Sequence, residues 1–116
     1  MNFKLRGSNS TEQMDINRKI GRLGERIAKD DYRNLGYDIL DVKSGMFFDF
    51  AAVRFLDEKL DLVFVECKVG NAHMSRRQIQ FKRWCQKAGQ NFFLYQIPNE
   101  RLRYLMENEI DVGDLR

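Results

Sequence analysis

The sequence predicts an α/β fold with a mixed central sheet flanked by helices, its elements running αβββαβα. Three observations carry this reading. Apolar residues recur at helical spacing over 15–35, three strand-like stretches follow in quick succession, and a well-signed second helix then leads into a further strand. At 116 residues the chain has the size of one domain with one modest core, since domains usually run to ~100–150 residues. Residues 1–14 are expected to form a mobile polar arm and 15–116 a single domain.

In the first helix Ile16, Ile20, Leu23 and Ile27, with Leu35 as a further candidate, supply the apolar face, and Gly36 supplies the stop. Gly21, Gly24 and Ala28 keep the same period; small residues there make sense if another backbone packs closely. Strands are expected at 37–42 (YDILDV), 47–55 (FFDFAAVRF) and 60–68 (LDLVFVECK), joined by Ser44-Gly45 and by Asp57-Glu58-Lys59, turns short enough for a meander or hairpins. A helix over 75–88 opens on Ser75 with Gln78 three residues later, the capping-box pattern, and closes at Gly89. Its apolar positions are Ile79, Phe81, Trp84 and Cys85. NFFLYQI at 91–97 reads as the fourth strand, Pro98 opens a short helix over about 99–108, and IDVGDLR forms a tail. Trp84, Phe92 and Phe93 are expected in the core rather than as base-stacking platforms.

Composition excludes several classes. With 43% hydrophobic and 32% charged residues, the apolar runs stay far below the ~18–20 residues that span a bilayer, so no membrane partner is expected. The opening MNFKLRGSNSTEQ has no apolar h-region, which makes the cytoplasm the expected address. Cys67 and Cys85 stand singly and His73 is the one histidine, too few for a disulfide framework or a four-ligand zinc site. Both thiols are expected to be buried. No GxxxxGK[ST] loop is present, so no nucleotide cofactor is expected.

The net charge of +3 is weak, and its distribution says more. Arg76, Arg77, Lys82, Arg83 and Lys87 occupy a segment, 75–90, that contains no acid. Arg18, Arg22, Arg26, Lys29 and Arg33 fall at helical spacing on one face, softened by Asp30 and Asp31 beside it. Both stripes suit a polyanion such as DNA; a solvated surface is the alternative.

The chemistry-bearing segment is LDLVFVECK. A period of two puts Leu62, Phe64, Glu66 and Lys68 on one face and Val63, Val65 and Cys67 on the other. Asp49 interrupts the apolar run FFDFAAV, where burial argues against a carboxylate. If these strands are antiparallel neighbours, Asp49 and Glu66 lie side by side, and two close carboxylates raise each other's pKa unless a cation joins them. A hard divalent metal is a natural cation. The alternative is a simple salt bridge from Lys68 to one of the acids.

Glu25 in GRLGERIA, then LGYDIL, FFDFAAV, FVECKVG and SRRQIQ follow one another in an order and spacing that resembles the PD-(D/E)XK, or restriction-endonuclease-like, nuclease superfamily. The resemblance spans 18–98, and the G-x-x-G-E opening looks most like archaeal Holliday-junction resolvases and related small nucleases; Phe48 stands where the motif name expects proline. It implies a restriction-endonuclease-like αβββαβ core and a metal-dependent endodeoxyribonuclease that hydrolyses DNA phosphodiester bonds. On this footing Glu25, Asp49, Glu66, Lys68 and Gln78 are the catalytic set. Asp49, Glu66 and the backbone carbonyl of Cys67 would hold Mg²⁺, with Mn²⁺ as substitute. Lys68 would position or deprotonate the attacking water, Glu25 would support the metal's water shell, and Gln78 would hold a water or phosphate oxygen. Gln78 is equally explained as the capping partner of Ser75. Arg18, Arg22, Arg76, Arg77, Lys82 and Arg83 are the expected DNA contacts. Cutting both strands of a duplex or junction would call for a homodimer, for which the stripe Leu102, Leu105 and Met106 offers apolar surface unless it packs on its own sheet. The rival reading is a non-catalytic DNA-binding protein that keeps the fold.

Overall fold

The computed structural model describes residues 10–43 and 47–107. Its first helix, α1 (Ser10–Asn34), begins before the expected start: the polar stretch from Ser10 to Met14 is helical, with Glu12 in the first turn where a negative charge suits the helix dipole. The expected polar arm therefore yields 10–14 to the helix, and residues 1–9 lie outside the described residues. At the other end Gly36, at φ +92°, turns the chain and Tyr37 donates its amide to the Tyr32 carbonyl at 3.0 Å. Leu35 sits past the last turn and is 63% exposed, so it is not part of the apolar face. Tyr32 takes that role, meeting Tyr37 and Phe50 edge-on at 5.2 and 5.9 Å.

Four strands follow the expected order with shifted ends: β1 (Asp38–Asp41), β2 (Phe50–Leu56), β3 (Lys59–Val69) and β4 (Asn91–Ile97). They form one mixed sheet in the order β1-β2-β3-β4, antiparallel across the first two pairings and parallel between β3 and β4. The second hairpin is a two-residue turn closed by Leu56 and Lys59, with Asp57 and Glu58 at φ +52° and +64°. Two positive φ values are what the right-handed twist of the flanking strands asks of so short a loop. The Ser44-Gly45 turn lies outside the described residues. Between β3 and β4 runs α2 (Arg76–Ala88), capped as expected: Gln78 gives its amide to Ser75 Oγ at 3.2 Å and its Oε1 takes the Ser75 amide at 2.8 Å, while Gly89 closes the helix in the left-handed region. The last helix is α3 (Asn99–Glu107), and the tail after it lies outside the described residues.

Alternation along β3 divides the molecule into layers. Val65 and Val69 face α1 in two buried clusters, one with Ile20, Leu23 and Leu102, the other with Ala28, Phe50 and Ala52. Phe64 and Glu66 face α2. The small residues of α1 divide as well: a Cβ on Gly24 would meet Val69 Cγ2 at 2.9 Å and Ile97 Cδ1 at 3.2 Å, whereas one on Gly21 would meet nothing within 4 Å. Close packing thus explains Gly24 and Ala28 but not Gly21, which borders a cleft. Leu102 packs on the chain's own core; the side chains of Leu105 and Met106 lie outside the described residues.

On the α2 side the expected core is incomplete. Cys85 is buried and Phe81 and Phe92 are half-buried, but Trp84 is 54% and Ile79 37% exposed; Phe93, on the other, α1-facing side of β4 and paired with Val65, is also 49% exposed. Phe81 and Cys85 lie four residues apart and take the sheet-facing side, which turns Trp84 away from it. Among the described residues no helix is long and apolar enough to cross a membrane.

Candidate active site

The site arises where β2 joins the sheet late. The ladder begins at Phe50, opposite Val65; Asp49 lies one residue before it and still donates its amide to the Val65 carbonyl at 2.9 Å. Its Oδ2 accepts the Cys67 amide at 2.7 Å, a donor that a longer β2 would have bonded with its backbone. In an antiparallel ladder a residue's amide and carbonyl point the same way, so the Cys67 carbonyl faces this same open edge. Asp49 and Glu66 line the same cleft side by side, close enough for the Asp49 carboxylate to act on the ionisation of Glu66.

Glu66 is the one buried charged side chain among the described residues, 2% exposed. Gln78, reaching in from the first turn of α2, donates its Nε2 to Glu66 Oε2. Burial raises the Glu66 pKa well above the carboxylate range, and the Asp49 carboxylate adds to the rise; Lys68 and the Cys67 amide pull the other way without cancelling it. Two acids this close cannot both ionise without a compensating cation. No ion pair joins Lys68 to either of them among the described residues, so the simple salt-bridge alternative does not hold.

A cleft of about 520 Å³ opens over this pair. Its lining brings together Glu25, Asp49, Glu66, Cys67, Lys68 and Gln78, and Arg18 and Arg22 close it from α1. Arg18 also pairs with Asp15 at 3.7 Å on the exposed surface. Arg76, Arg77, Lys82 and Arg83 do not line it; they run along α2, mostly exposed. The α1 stripe divides: Arg26 and Arg33 are engaged by Asp30 at 3.3 and 3.1 Å, leaving Arg18 and Arg22 as the cations at the cleft. His73 is exposed and not part of the lining.

One functional contact escaped sequence reasoning. Lys29 Nζ lies 3.0 Å from Glu25 and 2.5 Å from Asp41 on β1, tying the cleft's helical carboxylate to the sheet. Burial opposes its charge, but the two carboxylates prevail and its pKa lies above 10.5. The spacing of four between Glu25 and Lys29 was the available signal. Half-buried Cys67 points toward the α1 side, and burial pushes its thiol pKa upward, which disfavours the reactive thiolate.

Among the described residues no three His, Cys, Asp or Glu side chains form a ready-made metal cage. The donor set is instead two adjoining carboxylates and a carbonyl, all hard oxygens. That fits Mg²⁺, which binds through one or two carboxylates and keeps several of its waters. Comparison with family models, with curated proteins and with solved structures finds no match to this chain.

Proposed function

We propose that this chain is a metal-dependent endodeoxyribonuclease whose centre is Asp49, Glu66 and Lys68. The observation that carries the reading is the convergence of Glu25, Asp49, Glu66, Lys68 and Gln78, drawn from four separate segments, on one cleft flanked by Arg18 and Arg22. The αβββαβ order, with Asp49 immediately before a late-starting strand that pairs with the strand carrying Glu66-Cys67-Lys68, supports a restriction-endonuclease-like core.

A divalent cation held by Asp49, Glu66 and the Cys67 carbonyl would polarise the scissile phosphate and acidify water. Glu66, desolvated and pressed by Asp49, gives up its proton to take that role. Gln78 fixes the Glu66 carboxyl from α2. Lys68, free of both acids, directs its ammonium at the attacking water and at the charge that develops on the phosphate. Glu25, anchored by Lys29, orders water from the helix side. Arg18 and Arg22 hold the neighbouring phosphates at the cleft mouth.

One cleft attacks one strand at a time, so cutting a duplex or a four-way junction calls for a symmetric pair of copies. Leu40, Phe55 and Leu60, on one face of the sheet and 49%, 78% and 57% exposed, supply apolar surface for it. Sedimentation with and without DNA reads that assembly.

The test is cleavage of a panel comprising supercoiled plasmid, linear duplex, single strand and four-way junction, in Mg²⁺, Mn²⁺ and EDTA. Products in either metal and none in EDTA support the reading. Binding without cleavage of any substrate would make the chain a DNA-binding protein that keeps the site without its chemistry.

A further inference from the structure

Trp84 is the chain's one tryptophan, and it closes an aromatic stack at the surface. Its ring lies nearly parallel to Phe81, with centroids 5.7 Å apart and 21° between planes. Phe81 stacks in turn on Phe48 at 5.2 Å and on Phe47 at 5.8 Å. Phe81 meets the indole in an offset stack, and Trp84 remains 54% exposed.

The surroundings of the exposed indole are cationic. Arg77, Gln80, Trp84 and Lys87 share one side of α2 by helical spacing, Arg83 adjoins them, and the helix contains no acid. The Arg77 guanidinium sits 5.9 Å from the Phe47 ring, at the other end of the stack. A protein-docking patch is depleted of charge at its centre, and two copies pressed together here would set like charges against each other. An aromatic face among cations suits a polyanion that also offers flat rings. Duplex DNA presents phosphates but keeps its base faces stacked inside; an unpaired strand presents both.

We infer that the outer side of α2 binds an unpaired stretch of DNA strand, with one base stacked on Trp84 and its phosphates met by Arg77, Arg83 and Lys87. This rests on the nuclease reading and narrows it to substrates that carry unpaired nucleotides beside the cut. The same helix serves both ends: Gln78, which reaches Glu66, and Trp84 are six residues apart, about 9 Å along the axis.

Because Trp84 is the sole tryptophan, emission excited at the red edge, where the four tyrosines do not absorb, reports on this surface alone. The full chain is titrated in EDTA with a twelve-residue oligothymidylate and, separately, with a blunt duplex of about the same length. Saturable, salt-sensitive quenching by the single strand and much weaker quenching by the duplex is the expected result. Trp84→Ala, followed by a dye-labelled oligothymidylate, should bind about 5- to 150-fold more weakly, and Trp84→Phe should recover most of the affinity. Equal quenching by both DNAs, unchanged affinity of Trp84→Ala, or an emission shift that follows protein concentration alone, which marks self-association, would each overturn the inference. Metal-dependent cleavage is scored separately: cleavage without quenching removes only this inference, and quenching without cleavage removes only the nuclease reading.

Discussion

The Cys67 amide donates to Oδ2 of Asp49 at 2.7 Å, a side chain taking the place that backbone would hold had β2 begun earlier. The bond has two consequences. It completes the edge of β3 where its neighbour is missing, and it fixes the Asp49 carboxylate against Glu66 at the floor of the cleft. Asp49→Ala strands a partly buried donor and should lower stability by about 1–3 kcal/mol, offset in part by relief of its repulsion toward Glu66. Asp49→Asn keeps an acceptor there and should stay within about 1 kcal/mol of the parent in urea denaturation. Equal destabilisation of the two variants would mean that the bond contributes nothing.

Glu66 makes stability depend on pH in an unusual direction. An acid whose pKa rises on folding binds its proton more tightly in the folded state, so stability falls as pH climbs above the ordinary carboxyl value of 4.5. In EDTA the slope should reach at most about 1.4 kcal/mol per pH unit. Glu66→Gln keeps an acceptor for Gln78 and removes the titrating group, so it should flatten that slope. Urea midpoints between pH 5 and 8 for both proteins check this; a parent protein that gains stability over the same range contradicts it.

Arg76 and Arg77 carry the prediction for the basic face. If they meet DNA phosphates, the double change Arg76→Ala with Arg77→Ala should reduce the slope of log affinity against log salt by about 0.9 for each phosphate that is no longer neutralised. Fluorescence anisotropy across a salt series measures it. An unchanged slope assigns both arginines to solvent.

The two glycines of α1 give opposite forecasts. Gly24→Ala drives a methyl to 2.9 Å from Val69 Cγ2 and should cost about 1–3 kcal/mol, while Gly21→Ala meets nothing within 4 Å and should gain about 0.5–1 kcal/mol from helix propensity. Thermal melts of the two variants should move in opposite directions.

Much of the fold is legible in the local pattern. The period of two in LDLVFVECK separates the α1-facing valines from Glu66 and Lys68, and Ser75 with Gln78 marks the start of α2. The adjacency of Asp49 and Glu66 follows from antiparallel pairing alone. Sequence does not show where β2 leaves the ladder, because FFDFAAVRF is apolar on both sides of Asp49; the chain bends at 47–49, and Phe47 and Phe48 turn to stack on Phe81. Trp84 departs from its expected place in the core for a related reason. The sheet-facing side of α2 is already taken by Phe81 and Cys85, and Trp84, one residue before Cys85 and so turned about 100° round the helix from it, stays exposed. The partner of Lys29 on β1 is a tertiary contact twelve residues away and leaves no local trace.

The central claim is that the Asp49 and Glu66 pair, with Lys68 beside it, cuts DNA. Its most direct test is Mg²⁺-dependent cleavage by the parent protein beside Glu66→Gln and Lys68→Met, with matched folding by circular dichroism. The parent should cut, Glu66→Gln should be inactive, and Lys68→Met should fall at least about 100-fold in rate, as removal of a proton-transferring or charge-stabilising group does. Cleavage at the parental rate by both variants would contradict the account.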